Sequence, residues 1–359
     1  MNAELSATVG FGAAAATSLI ATPLAIKAAR RLRFYDRPRE YRKHAAPTPF
    51  LGGAAVLIGF LIAAVAVGGA SGRLLVILGW AIVLGAIGTL DDRSAVAPQW
   101  RLVAEALAAI SLVAVGLEWE TTAGDGLDFL VTVFWVVALV TSFNLLDNMD
   151  GACGTVGCVS AVGIGVVGAI HGEAVLAGLA FALAGACAGF LPSNLAGPAK
   201  IFLGDGGSMV VGYLVAALAI ATCRLIRSDA SSMLTGSLLV AVAVLDTALV
   251  IVSRRRRGIS LVTGGRDHLT HRLSLAVGSP RAVAATLALA QGSLCLVAVI
   301  GDQIGSVAIA AVAAVAAAAG VAAIAVLDTP RWRPADIVIA PVRVAGQGAQ
   351  PSSAGIDSG

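Results

Sequence analysis

Five aspartates stand at or near the ends of apolar runs. Asp91 and Asp92 end the run WAIVLGAIGTL, Asp147 and Asp150 lie three apart in NLLDNMDG, and Asp205 lies between glycines in IFLGDGGSM. Residues three apart share a helix face, and glycines let backbone approach a ligand closely. Any one of them could be an ordinary solvated helix end. Five together would repel one another and need a counterion, and Mg²⁺ is a hard cation that binds carboxylates plus phosphate oxygens.

Basic residues form two further groups. Arg42, Lys43 and His44 precede the turn PTPFLGG; the second group comprises Arg254 to Arg257, Arg266, His268, His271 and Arg272. The arginine run alone is typical of a topology signal or an anionic-lipid contact. Two histidines three apart beside Asp267 are harder to explain that way. Carboxylates with a metal, together with Arg, Lys and His, are the groups that phosphoryl transfer uses.

Asp246 stands inside the apolar run VAVLDTALVIV. A carboxylate within a membrane span is costly, so it indicates a functional site by default. Pairing with another helix is an equal alternative. The five cysteines contain no CxxC and lie in or beside apolar runs, which is typical of small buried apolar side chains.

The composition shows which elements must hold these residues. The chain has 359 residues, 58% hydrophobic and only 13% charged, with a mean hydropathy of +0.90. Soluble domains have about 25% charged residues, so this is an integral membrane protein. The first apolar run, 7–28, is too long for the core of a signal peptide, and basic residues follow it, so we interpret it as a span.

A membrane span needs about 20 apolar residues. The sequence predicts an all-α polytopic fold, with residues 1–327 as the membrane domain and 328–359 as a partly disordered tail rich in Gly, Pro, Ser and Ala. Short connections leave no room for an inserted soluble domain. The eleven predicted spans are 7–28, 51–70, 73–90, 101–117, 128–145, 153–170, 174–192, 208–225, 233–252, 281–300 and 304–327.

The distribution of positive charge predicts orientation. Of 24 Lys and Arg residues, all but Arg73, Arg224 and Arg227 fall in one alternating set of loops. The positive-inside rule makes that set cytoplasmic, with the N-terminus outside and the C-terminus inside. The same side also holds Asp91, Asp92, Asp147, Asp150, Asp205, Asn144 and both histidines of HLTHRL. This co-location predicts a single cytoplasmic site.

Five motifs follow one another between Asp36 and Leu273: DRPREYRKHAAPTPFLGG, TLDDR, NLLDNMDG, GFLPSN with PAKIFLGDGGSM, and LDTALVIVSRRRRG with RDHLTHRL. They resemble, in order, DxPxxRKxHxxPxPxxGG, the DDR pair, NxxDGxDG, GFLxxN with AKIFLGDTGS, and PxxDTxxVxxRRxxxG with DHLHHRL. These are motifs of the polyprenyl-phosphate N-acetylhexosamine-1-phosphate transferases, which also include the phospho-MurNAc-pentapeptide translocase. One match would be weak, but five in order are specific.

The resemblance implies a reaction. A UDP-sugar donates its sugar-1-phosphate to polyprenyl phosphate, with Mg²⁺ (or Mn²⁺) as cofactor, giving a polyprenyl-diphosphate sugar and UMP. HLTHRL and eleven spans look more like the GlcNAc-1-phosphate branch, so we expect UDP-GlcNAc as donor for a cell-wall or surface polysaccharide. The expected location is the bacterial plasma membrane, with a homodimer as an option. The basic residues lack the aromatic interleaving of a nucleic-acid site.

The resemblance also implies residue roles, with direct attack favoured over a phospho-enzyme. The predicted catalytic residues are Asp91, Asp92, Asp147, Asp205 and His268. The predicted metal ligands are Asp205, Asp147 and Asn144. The predicted substrate-binding residues are Arg42, Lys43, His44, Asn144, Asp150, Lys200, His271 and Arg272.

Five positions depart from the family pattern: Glu105 where Gln is common, Thr141 for Asn, Asn148 for Gly, Gly206 for Thr, and Thr270 for His. The carboxylates are all kept, so we expect catalysis, while the donor sugar stays open. A catalytically weak homologue that binds polyprenyl phosphate is one alternative. A transporter or flippase is another, although such proteins place charged sites near the bilayer midplane.

Overall fold

The computed structural model describes residues 1–36, 47–68, 71–121, 124–226, 229–261 and 265–332. Arg42, Lys43 and His44 lie outside these residues, as does the predicted tail beyond Trp332. Within them, the chain forms thirteen α-helices: α1 Ala3–Arg31, α2 Gly52–Gly68, α3 Gly72–Ser94, α4 Pro98–Ala114, α5 Asp125–Leu146, α6 Ala152–Ile170, α7 Ala174–Asn194, α8 Asp205–Cys223, α9 Asp229–Leu239, α10 Ala241–Arg257, α11 Leu269–Val277, α12 Pro280–Ile304 and α13 Ser306–Leu327. Two short antiparallel strands, β1 (Tyr35–Asp36) and β2 (Thr48–Pro49), pair between α1 and α2.

The helices agree with an all-α membrane protein. Eight of those described are long and apolar enough to cross a bilayer: α1, α3, α5, α6, α7, α8, α12 and α13. The pair α9 and α10 gives a ninth candidate if it counts as one span. Each of the eleven predicted segments overlaps a helix or this pair, while the count of eleven and the orientation stay predictions. The short α11 was not predicted.

Local sequence explains where several helices begin and end. The side chains of Asn2, Ser71 and Ser279 each accept a hydrogen bond from a backbone N–H in the first turn of α1, α3 and α12. These N-caps satisfy groups that a helix leaves unpaired. Gly258 and Gly278 follow α10 and α11 with positive φ, the conformation that commonly ends a helix.

Helix α8 forms the centre of the bundle. It packs against α3, α5 and α6. In its most apolar stretch of 18 residues, 94% of the residues are buried, against 6% in that of α13. In a bilayer, α13 therefore presents most of its surface to lipid. The first residue of α8, Asp205, lies where the ends of α3 and α5 also come together.

The predicted span 233–252 is not one straight helix. It is broken at Val240 into α9 and α10, whose axes differ by 78°. Gln291 of α12, which is fully buried, satisfies the backbone at the break. Its amide donates to the carbonyls of Leu238 and Leu239 at 3.1 and 3.0 Å and accepts from the N–H of Val242 at 3.0 Å. Broken helices within a membrane need such partners, so Gln291 stabilises the bend.

We expect Gln291→Leu to lower the thermal unfolding midpoint of the protein in detergent. It leaves three buried backbone groups without their partner, at a cost of about 2 kcal/mol or more. The exposed Gln303→Leu on the same helix is the matched control and should change the midpoint little. An unchanged midpoint for Gln291→Leu would show that the bend does not depend on this side chain.

Candidate active site

One cavity of about 480 Å³ collects residues that are far apart in the sequence. Its volume is within the range of small-molecule sites. Seven residues predicted from the motifs line it: Asp92, Asn144, Asp147, Asp150, Asp205, His268 and His271. Its wall also contains Asp36 of β1 and the rings of Phe50 and Phe202. These seven residues therefore lie together, whereas Asp91 does not line the cavity, and their roles stay predictions.

The cavity lies at the ends of helices. Asp205 is the first residue of α8, Asp147 directly follows α5, and Asp92 lies two residues before the end of α3. Sites of secondary transporters lie near the bilayer midplane, usually within broken helices. This placement argues against the transporter alternative.

Close backbone packing sets Asp205 beside Asp92. Gly204 has φ +77°, and a Cβ at that position would lie 2.5 Å from the Asp92 carboxylate. A Cβ on Gly88 of α3 would meet the carbonyl oxygen of Asp205 at 2.4 Å. Only glycine at these two positions allows α3 and the start of α8 to come this close.

Asp92 holds the backbone at the start of α8. Its carboxylate accepts hydrogen bonds from the N–H groups of Asp205 at 3.1 Å and Gly206 at 3.4 Å. Carboxylates are favoured at this end of a helix, where N–H groups are unpaired and the helix dipole is positive. In this arrangement Asp92 positions Asp205, and both carboxylate oxygens of Asp92 accept backbone hydrogen bonds.

Arg101 of α4 connects the carboxylates, and the sequence analysis did not identify it. Its guanidinium donates to Asp91 at 2.5 Å and to the side-chain oxygen of Asn144 at 2.6 Å, and it lies 3.6 Å from Asp205. The signal that could have found it is a cation at the first residue of the predicted span 101–117, on the same side as the aspartates. Asp91 is thus paired, and its other oxygen accepts from the N–H of Val96.

Asn144 orients the side chain of Asp205. Its amide nitrogen donates to Asp205 at 2.8 Å and to the Ser208 hydroxyl at 3.0 Å, while its oxygen accepts from Arg101. Asn144 therefore acts within the network here, and its predicted role as a metal ligand stays a prediction. The Asp205 side chain is 34% exposed, against 9% for Asp91, so Asp205 is the more open of the two to a ligand.

Asp246 belongs to the histidine side of the cavity. It is fully buried, and one of its oxygens lies 2.9 Å from Nδ1 of His268 while the other accepts from the N–H of Leu269 at 2.6 Å. The two alternatives for this residue combine, since it pairs with another segment and that partner lines the cavity. With Nδ1 engaged, His268 keeps Nε2 for other contacts.

The loop before α11 is held by buried charge pairs. Burial would raise the pKa of Asp267, but hydrogen bonds from Arg254 and the nearby positive charges outweigh it and lower the pKa to about 2. Arg257 also binds Asp267, at 2.8 Å. Arg272 is fully buried and donates to the Asp267 carbonyl and to the Ser253 hydroxyl. Arg272 does not line the cavity, so we expect it to position this loop.

The remaining predicted cations differ in placement. Burial, helped by the positive charges of His268 and Arg266, lowers the pKa of His271 to about 4, so it is neutral at pH 7. The buried Nδ1 of His271 has no hydrogen-bond partner among the described residues. Lys200 is exposed in the loop before α8 and does not line the cavity.

The cavity suits a hard cation. Five aspartates line it among the described residues, while Arg266 is the one arginine or lysine there. No three His, Cys, Asp or Glu side chains of the described residues converge into a complete protein metal site. Mg²⁺ does not need one, because it commonly takes one or two carboxylates and completes its shell with water and phosphate oxygens.

Comparison with known proteins finds a family model and several relatives. The model of glycosyl transferase family 4 matches residues 74–223. A Streptomyces coelicolor protein named as a glycosyltransferase is 35% identical over 256 residues; the match covers 68% of this chain and 58% of the relative, less than two thirds of its length.

Two further relatives carry more specific names. The decaprenyl-phosphate N-acetylglucosaminephosphotransferase of Mycobacterium tuberculosis is 33% identical over 306 residues, covering 74% of this chain and 75% of the relative. The undecaprenyl-phosphate alpha-N-acetylglucosaminyl 1-phosphate transferase of Yersinia pestis is 26% identical, covering 78% and 80%. The matched part of the chain includes α3 to α8, which carry most of the acidic side of the cavity. The chain therefore belongs to glycosyl transferase family 4.

Proposed function

We propose that this protein transfers GlcNAc-1-phosphate from UDP-GlcNAc to polyprenyl phosphate at the cytoplasmic face of the bacterial plasma membrane, with Mg²⁺ as cofactor. The observation that carries the proposal is the cavity at the helix ends, where Asp92, Asp147 and Asp205 face His268 and His271. The names of the mycobacterial and Yersinia relatives support the acceptor and the transferred group. The excess of positive charge in one set of loops supports the cytoplasmic face.

The reaction joins two anions. An oxygen of the lipid phosphate attacks the sugar-bearing phosphorus of the donor, a new P–O bond forms, and the bond to the other phosphate breaks so that UMP leaves. The lipid phosphate lies at headgroup depth, where the cavity is expected to open. Charge repulsion between the reactants is the main barrier that the site must lower, so the positions of its charges decide the rate.

The residues divide this work. Asp205 and Asp147 would hold Mg²⁺, which neutralises diphosphate charge when bound. Arg101 and Asn144 keep Asp205 in place, and Asp92 fixes the backbone behind it. On the other wall, Arg266 offers a permanent positive charge, and His268, oriented by Asp246, would donate from Nε2–H to the phosphates when its ring is protonated.

The test is transfer of label from UDP-GlcNAc to polyprenyl phosphate by purified protein in detergent, with Mg²⁺ and with EDTA. We expect labelled lipid that depends on the metal, and UMP in equal amount. UDP-GalNAc and UDP-MurNAc-pentapeptide serve as competing donors. Transfer from another of these donors would correct the sugar. Folded protein that binds polyprenyl phosphate but transfers from no donor would instead establish the catalytically weak homologue.

Arg101→Ala should lower kcat/KM by about 10²-fold, because it removes the cation that holds Asp91, Asn144 and Asp205 together. Arg101→Lys should recover part of the activity, since lysine keeps the charge without the planar fork. The measurement is initial-rate transfer at several donor concentrations. The exposed Arg331→Ala is the control; equal effects of the Arg101 and Arg331 changes would contradict the assigned role.

A further inference from the structure

A hydrogen bond joins two walls of the cavity. The hydroxyl of Thr270 donates to the side-chain oxygen of Asn148, and the Asn148 amide nitrogen donates to the carbonyl of Leu145 at 2.6 Å. Thr270 is fully buried, while Asn148 lines the cavity. Both ends of the Asn148 amide are therefore fixed, one by the end of α5 and the other by α11.

Residues adjacent in sequence to Asn148 and Thr270 line the cavity, so this hydrogen bond affects its shape. Asn148 directly follows Asp147, in the turn that also carries Asp150, and Thr270 directly precedes His271. All three neighbours line the cavity. The bond thus ties the acidic turn after α5 to the histidine helix, and its length limits the gap between Asp147 and His271. A phosphate or sugar group bound between Asp147 and His271 would have to fit a gap of fixed width.

The same two positions depart from the family motifs, and other departures also come in contacting pairs. Thr141 donates to Glu105 at 3.3 Å. At position 206 a Cβ would lie 2.4 Å from the hydroxyl oxygen of Thr89, so Gly206 leaves the space that the Thr89 side chain occupies. Each unusual residue has a partner that accommodates it. The departures from the motifs therefore leave these positions with close neighbours in the site.

We propose that the Asn148–Thr270 pair is a specificity-determining element that sets the width of the donor-binding cavity between Asp147 and His271. It rests on the proposed function for the identity of the donor. The pair positions its neighbours and does not touch the reacting atoms. Because it shapes the site in the ground state and the transition state alike, its loss acts on KM for the donor more than on kcat.

The test compares Asn148→Ala, Thr270→Val, the double variant and Thr270→Ser. Each of the first two should raise KM for UDP-GlcNAc about tenfold, with kcat within about threefold of wild type. The double variant should be no worse than either single one, since both remove the same bond. Thr270→Ser keeps the hydroxyl and should bind the donor like wild type. The exposed Thr329→Val is the control for a methyl-for-hydroxyl change.

Calorimetric binding of UDP-GlcNAc without acceptor lipid gives a second readout that does not need turnover. Weaker binding in both single variants, with unchanged thermal midpoints, supports the inference. Unchanged KM and Kd in both, or single effects that multiply in the double variant, would overturn it. If folded wild-type protein neither binds nor turns over UDP-GlcNAc, the proposed function itself fails, which distinguishes that failure from a variant result.

Discussion

Asp205→Asn is expected to abolish transfer, with a loss of at least about 10³-fold in kcat/KM. The change keeps the shape of the side chain and an oxygen that can accept from Asn144. It removes the negative charge that, in the proposed mechanism, binds Mg²⁺ and balances Arg101. Losing a charged group that acts in a desolvated phosphoryl-transfer site costs several kcal/mol of transition-state stabilisation.

The matched control is Asp125→Asn. Asp125 is the first residue of α5, as Asp205 is the first residue of α8, but it is exposed and does not line the cavity. This variant should keep wild-type transfer. A readout independent of turnover is the thermal midpoint with and without Mg²⁺, which should rise for wild-type protein and for Asp125→Asn but not for Asp205→Asn. Transfer by Asp205→Asn above about a tenth of wild type would remove this residue from the metal site.

The membrane architecture could be predicted from the sequence because hydropathy is a local signal. Every predicted span contains a helix, since each apolar run must form its own backbone hydrogen bonds in lipid. The bend at Val240 could not be predicted. Its sequence, LLVAV, contains neither Pro nor Gly, and the group that stabilises the break is Gln291, about fifty residues further along the chain.

The candidate site was predictable to the extent that its residues stand in motifs. Four of the five aspartates found by spacing, and both histidines, line one cavity, whereas Asp91 does not and is paired with Arg101. The contacts between them were not predictable, because each depends on packing between distant helices. Arg101 meets Asn144 across 43 positions of sequence, and Asp246 meets His268 across 22. Arg272 shows the converse, since its motif suggested a substrate contact, whereas the structure buries it in α11, where it donates to the loop before that helix.

One wall of the cavity is acidic, and the other carries Arg266 and the two histidines. The acidic wall, from α3, α5 and α8, is held by Arg101 and by the N–H groups at the start of α8. The histidine wall, from α11 and the loop before it, is held by Asp246 of α10 and by the buried Arg254–Asp267 pair. Each wall is braced by charge pairs of its own. In the proposed mechanism, a diphosphate with its cation would bind between the two walls.

Asp246→Asn should lower kcat by about 10² to 10⁴-fold while changing KM for the donor little. The buried carboxylate accepts the proton on Nδ1 of His268, and this fixes which ring nitrogen is free to act in the cavity. An asparagine keeps an oxygen for the N–H of Leu269, so α11 should still begin at the same place. Its NH₂ group can face Nδ1 instead, which disfavours a proton there and therefore the protonated ring that donates to phosphate; loss of the carboxylate that partners a catalytic histidine has costs of this size in other enzymes.

The measurement that isolates this role is a double-variant cycle with His268→Ala. If Asp246 acts through His268, adding Asp246→Asn to His268→Ala should cause almost no further loss of kcat. Asp246→Glu retains a carboxylate and should recover part of the rate if the longer side chain reaches Nδ1. Independent, multiplying losses would mean that Asp246 stabilises the bundle by another route. Asp246 is fully buried within an apolar helix, where a carboxylate is costly and indicates a functional site by default.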